Sequence, residues 1–263
     1  MRIALMVEYD GSQFYGWQSQ TGLRTVQCVL EHALTQFATQ KISVICAGRT
    51  DTGVHATGQI IHFDSMIERS ARAWVNGTNA FLPKDVCIKW AHEVSCEFHA
   101  RFSALSRRYV YIIYNTPTRS TLLRSNLAWQ YKPLDHNMMH EASQCLLGQH
   151  DFSSFRSTEC QAKTAIRTIS DLKISRHGYV VVIDICANAF LHHMVRNIAG
   201  VLIAVGSGRE SVAWVGQVLL AKNRSLGAQT APPYGLYLIC ATYPEEFKIP
   251  RVISNPLAIL GVI

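Results

Sequence analysis

The chain has 263 residues, 48% hydrophobic and 16% charged, which suits one large domain or two of ordinary size and excludes a disordered chain. Its formal net charge is +7, and arginine, whose guanidinium suits bidentate phosphate contacts, supplies 17 of the 25 basic residues. Residues 1–104 hold nine basic and nine acidic residues, so the whole excess falls in residues 105–263, as expected of a basic face toward a polyanion.

The chain opens MRIALMVEYDG, with no secretory apolar core, and none of its eight cysteines form a C-x-x-C pair. Reduced thiols in a cytoplasmic protein are the expectation.

Residues 2–9 read as a strand. Residues 25–38 read as a helix with Thr25 as N-cap and Val26, Leu30, Ala33, Leu34 and Phe37 on its apolar face. Strands follow at 42–47 and 58–64, a helix from 71 to about 79 behind Ser70, and a strand at 85–94. The order is the split βαβ of ferredoxin-like folds.

Residues 105–263 repeat this order with insertions, though with no repeat of sequence. A strand at 107–114 carries Tyr109, Tyr111 and Tyr114, and Asp135 caps a helix to about 147. A hairpin joins 168–176 to 179–187, helices run from about 189 to 206 and from about 211 to 221, and a last strand covers 235–243. The apolar stretch Ala189–Val205 is interrupted by His192, His193, Arg196 and Asn197, which marks a buried helix and not a membrane span. The expected architecture is therefore α/β (α+β), in two halves, 1–104 and 105–263.

Between the second and third strands lies AGRTDTGVHA, residues 47–56. Asp51-Thr52-Gly53 is the tripeptide of aspartic proteases, but that chemistry needs two such segments sharing one proton, and only one is present. Arg49 would also favour an ionised carboxylate. An Asp in a glycine-rich turn commonly bonds its own backbone. The crowding of Arg49, Thr50, Thr52 and His55 around Asp51 exceeds what a turn requires. His136 and His140 have helical metal-ligand spacing, but no third ligand is indicated, so no metal site is expected.

Gly48–Ala56, GRTDTGVHA, resembles the signature loop of the TruA-type tRNA pseudouridine synthases. Four further blocks resemble that family in its order: Tyr9–Gln18, Phe98–Ser103 with Arg107–Tyr111, Asn188–Asn197 and Gly235–Leu238. Together they span nearly the whole chain; Thr52, where alanine is more usual, is a small departure beside the Asp.

The resemblance implies two ferredoxin-like βαββαβ halves whose sheets join into one central sheet with an active-site cleft. It implies isomerisation of uridine to pseudouridine in the tRNA anticodon stem-loop, at positions 38, 39 and 40, by a homodimer, without metal or organic cofactor. Asp51 takes the place of the catalytic carboxylate. A reference Asp is ionised at neutral pH, and could add covalently to substrate or stabilise an electron-poor sugar carbon. Tyr109 matches the active-site tyrosine, which offers an extruded base a stacking face. Arg196, costly in so apolar a helix without a partner, is implied to pair with Asp51, and the small Ala199 and Gly200 beside it would let another segment approach. Arg49 is expected on a phosphate or positioning the loop, and His55 on RNA or capping the loop. Arg24, Arg101, Arg107 and Arg108 are weaker candidates for RNA backbone contacts. The rival reading is a catalytically silent RNA-binding or RNA-folding protein on the same scaffold; with Asp, Tyr and Arg all at matching positions, nothing in the sequence prefers it.

Overall fold

The computed structural model describes residues 1–250 and Pro256. The chain divides into two compact units, one of Met1–Arg107 with the stretch from Tyr237 on to residue 250, the other of Arg108–Leu236.

In the first unit, strand β1 (Arg2–Tyr9) lies between β3 (His55–Asp64) and β4 (Val86–Val94), antiparallel to both. The outer edge of β3 is shared. Its far end pairs with the two-residue β2 (Ile45–Cys46), and its start pairs in parallel with β10 (Leu236–Thr242) through Tyr237 and Leu238. Gly58 makes that approach possible, since a Cβ there would lie 2.1 Å from the Ile239 carbonyl oxygen.

Two helices of this unit start where their caps say they should. Thr25 accepts from the Cys28 amide ahead of α1 (Val26–Ala38), and Ser70 accepts from the Ala73 amide ahead of α2 (Ala71–Asn79). Val26, Leu30, Ala33 and Leu34 of α1 are buried, as their helical spacing requires. Phe37 is half-buried and meets the fully buried Trp74 edge-on at 5.3 Å, and Trp74 in turn meets Phe63 of β3. Gly77 leaves the space for the Phe37 ring, only 2.0 Å from where a Cβ would stand. The other sheet face carries Ala4, Met6 and Ile60, closed by Phe98, Ala100 and Tyr243.

In the second unit, β5 (Ser106–Asn115, its first two residues in the first unit) lies beside β9 (Val180–Ala187), then β8 (Ile166–His177), then β7 (Gly148–Asp151). The short β6 (Ala128–Gln130) pairs in parallel with β5. Helices α3 (His136–Ser143), α4 (Met194–Gly206) and α5 (Trp214–Ala221) pack against one another, and α3 also against β8.

The boundaries depart from the sequence pattern where local chemistry intervenes. The strand expected at 42–47 pairs only at Ile45 and Cys46. The helix expected from 189 begins at Met194, because Asn188 turns its side-chain oxygen onto the amides of Ala189 and Thr168, and His193 adopts a left-handed φ of 63°. The helix behind Asp135 gives way to a 3-10 turn at Gln144–Leu146. All eight cysteines are unpaired. Among the described residues no helix is long and apolar enough to cross a membrane.

Candidate active site

The loop from 47 to 54 is held along its length by backbone and buried side chains of the first unit. The Ala47 amide bonds the Ile60 carbonyl at 2.8 Å, and the fully buried Gln59 side chain bonds both amide and carbonyl of Gly48. Arg107 donates to the carbonyls of Ala47, Arg101 and Ala104. The loop's buried Thr50 hydroxyl meets the Tyr9 hydroxyl at 2.7 Å, while the Thr50 carbonyl accepts from the Trp17 amide at 2.9 Å.

The turn that carries Asp51 closes on itself. The Val54 amide bonds the Asp51 carbonyl at 3.1 Å, and Gly53 between them has φ +78°, the value a type II turn needs at its third position. The Gly53 amide reaches the Phe14 carbonyl at 3.3 Å. The segment Tyr9–Gln18 thus acts as a clamp on this loop. Two of its glycines allow close contact, since a Cβ on Gly11 would stand 1.9 Å from the Val54 carbonyl oxygen and one on Gly16 2.8 Å from that of Thr50. Thr50 is buried, Asp51 is half-buried, and Arg49 and Thr52 are exposed. A backbone this constrained presents one carboxylate in a fixed direction at the edge of water.

His55 follows the turn as the first residue of β3 and is 1% exposed. Its ring stacks on Tyr237 at 4.7 Å. Its Nδ1 accepts from the Gly11 amide at 3.1 Å, and an Asp10 carboxylate oxygen also lies 3.1 Å from that nitrogen. One nitrogen cannot accept and donate at once. The amide direction is fixed by its peptide plane, so the tautomer with Nδ1 unprotonated is the one that leaves the buried Gly11 amide bonded. Asp10 bonds the Ser12 amide at 2.9 Å. His55 therefore ties the clamp to the start of β3.

The weaker arginine candidates divide by what already holds them. Arg24 makes a two-pronged ion pair with Asp85 at 2.8 and 2.9 Å and lies over the Phe14 ring. Arg108 makes a similar pair with Asp184 at 2.7 and 2.6 Å, with Asp171 at 3.7 Å. Arg107 is spent on loop carbonyls. Arg101 is exposed and lies over the Phe102 ring, itself 76% exposed. Arg49 has no hydrogen bond or ion pair among the described residues.

In the second unit, Tyr109 lies in β5, 7% exposed, with its ring edge-on to Phe190 at 5.1 Å. Tyr111, two residues on, is fully buried and donates its hydroxyl to the Pro232 carbonyl at 2.8 Å. Burial raises its pKa, so it stays a neutral donor. Arg196 is half-buried in the first turn of α4. Its Nε donates to the Ala231 carbonyl at 2.9 Å and its own carbonyl accepts from the Ala231 amide at 3.2 Å. Gly200, one turn later, lets this segment approach, since a Cβ there would lie 2.1 Å from the Gln229 carbonyl oxygen. The clamp role of Tyr9–Gln18 and the part played by Ala231 were not visible in residue types; of the glycines at 11, 16 and 200, only Gly200 was read as allowing a close approach.

A family model described as tRNA pseudouridine synthase matches residues 5–103 and 142–244. A protein named tRNA pseudouridine synthase A from Legionella pneumophila (strain Lens) is 62% identical over 257 residues, 98% of each chain. Proteins of the same name from Pseudoalteromonas atlantica, 53% identical over 98% of each chain, and from Pseudomonas aeruginosa, 50% identical over 99% of this chain and 92% of its own, are similar along the same span.

Proposed function

The chain belongs to the tRNA pseudouridine synthase family, and from that premise we propose that Asp51 is the carboxylate through which it isomerises uridine to pseudouridine in tRNA. The substrate site is the anticodon stem-loop, at positions 38, 39 and 40. The observation that carries the reading is the clamped loop, which presents a half-buried Asp51 from a turn with little freedom to move.

The reaction is balanced within one nucleoside. The bond from N1 to the sugar C1′ breaks, the uracil turns, and a bond from C5 to C1′ forms. The proton on C5 leaves and N1 ends protonated, so nothing is oxidised and no co-reactant is consumed. A carboxylate supplies negative charge beside C1′ while that carbon is electron-poor. Fixing its direction beforehand avoids reorganisation during the reaction. Arg196 is the cation we assign to hold the Asp51 carboxylate ionised. Tyr109 is the residue we assign to the extruded base, where stacking contributes about 1–3 kcal/mol. Arg49, exposed and with no hydrogen bond or ion pair among the described residues, is assigned to a phosphate of the same nucleotide. We also infer a cytoplasmic homodimer with tRNA lying across both copies.

The test is Asp51→Asn, which keeps the shape of the side chain and removes its charge. Pseudouridine mapping on an unmodified tRNA transcript should find none formed, while tRNA binding stays within about threefold of the parent. Undiminished isomerisation in that variant sinks the assignment of Asp51.

A further inference from the structure

We propose that a cavity of about 440 Å³ in the second unit binds one phosphodiester of the tRNA backbone through Arg224. The proposal rests on the function given above and adds to it a substrate subsite.

Arg224 differs from the ion-paired arginines. Arg2, Arg24 and Arg108 each face a carboxylate in a two-pronged pair. Arg224 is half-buried, and among the described residues its side chain donates only to neutral oxygens, Asn197 Oδ1 at 3.1 Å and Thr230 Oγ1 at 3.0 Å. Among the described residues no carboxylate pairs with it, and none lines the cavity. A guanidinium partly withdrawn from water, with no carboxylate beside it, gains from an anion that completes it.

Its orientation is set from below. Asn197 is 1% exposed, its amide nitrogen donates to the Phe155 carbonyl at 2.8 Å, and its oxygen also accepts from the Thr230 hydroxyl at 2.7 Å. That oxygen can therefore engage only one edge of the guanidinium, leaving the remaining donors of a five-donor group for a ligand. Ser157, Thr158 and Ser225 add hydroxyls around the cavity, and Gln229 adds an amide. The guanidinium, with these hydroxyl and amide groups and His193 on the same lining, suits the charged oxygens of a phosphodiester. The cavity belongs to the half of the chain that holds the net positive charge.

The experiment is equilibrium binding of an unmodified tRNA transcript across about 50–200 mM salt, with pseudouridine kinetics alongside. Arg224→Gln should flatten the slope of log affinity against log salt by roughly 0.7–0.9, the share of one phosphate. KM should rise several-fold with kcat retained. Because Arg224 also holds Asn197 and Thr230, Gln229→Glu provides a second variant, at an exposed position whose side chain makes no hydrogen bond among the described residues. Its added carboxylate should cut tRNA affinity about tenfold at low salt, with the gap closing as salt rises. Parental slope and KM in both variants overturn the proposal. So does protection of the cavity by inorganic phosphate with tRNA slopes unmoved, which would make it an anion site unrelated to RNA. Failure of the parent protein to form pseudouridine would instead strike the functional reading, and the binding slopes would still decide the cavity.

Discussion

His62 is a histidine that the folded protein keeps neutral. Its side chain is buried on β3, Nδ1 accepts from the Ala100 amide at 3.1 Å, and its ring lies 4.9 Å from that of His99. Burial first, then the nearby Arg2 and His99, push its pKa down to about 4, against a smaller opposing pull from Asp64. The unfolded histidine titrates near 6.5. Between those values the unfolded chain binds the proton and the folded one does not, so stability falls as pH falls. The contribution is complete above about pH 6.5 and is lost on the way down to 4, for about 3 kcal/mol in all. His62→Gln keeps an acceptor for Ala100 and removes the titration. Urea unfolding at several pH values should then give a flatter profile than the parent, and an unchanged profile counts against the assignment. Residues of this kind mark the limit of the sequence. Asp51 was legible because its neighbours in the chain are also its neighbours in the turn. His55 and Arg107 were not, since what they do depends on Gly11 and on the carbonyls of Ala47, Arg101 and Ala104, distant or unmarked in the chain.

At the scale of elements, helices announced themselves by caps and strands by alternation, wherever both were local. Thr25, Ser70 and Asp135 each cap the helix they precede. The strands β6 and β7 went unread because AWQ and GQHD carry no alternation; only pairing with β5 and β8 makes them strands. Glycines in helices show the same division between chain and space. Gly200 of α4 and Gly216 of α5 look alike in sequence, and each lowers helix propensity by about 1 kcal/mol relative to alanine. Their surroundings differ. A Cβ on Gly200 would collide with the Gln229 carbonyl, whereas one on Gly216 meets nothing closer than the Cys145 sulfur at 4.0 Å. Gly200→Ala should therefore cost about 1–3 kcal/mol in urea unfolding. Gly216→Ala should be neutral or stabilising by up to about 1 kcal/mol. Equal effects at the two sites would mean that the close approach of α4 to the Gln229 segment has no energetic weight.

For the whole molecule, the charge count legible in the sequence overstates what is available to RNA. The chain has 25 basic residues, yet several of its arginines are engaged internally. Arg2 is tied to Asp64, Arg24 to Asp85 and Arg108 to Asp184, while Arg107 serves carbonyls. A guanidinium already matched by a carboxylate releases no counterion when a phosphate approaches, because its charge is not free to replace one. Arg49 and Arg101 are exposed and unmatched by any acid among the described residues, so each should carry a share of the salt dependence. Affinity for unmodified tRNA should fall steeply with salt in the parent. Arg49→Gln and Arg101→Gln should each flatten the log–log slope by roughly 0.7–0.9, and Arg24→Gln and Arg108→Gln should leave it where it was. The last two would show themselves instead as small losses of stability, on the order of 1 kcal/mol or less for pairs so near the surface. If all four substitutions lowered the slope alike, total charge would govern tRNA binding and internal pairing would not matter. If only the exposed pair did, the ion pairs seen within the fold divide the arginines that bind RNA from those that hold the protein together.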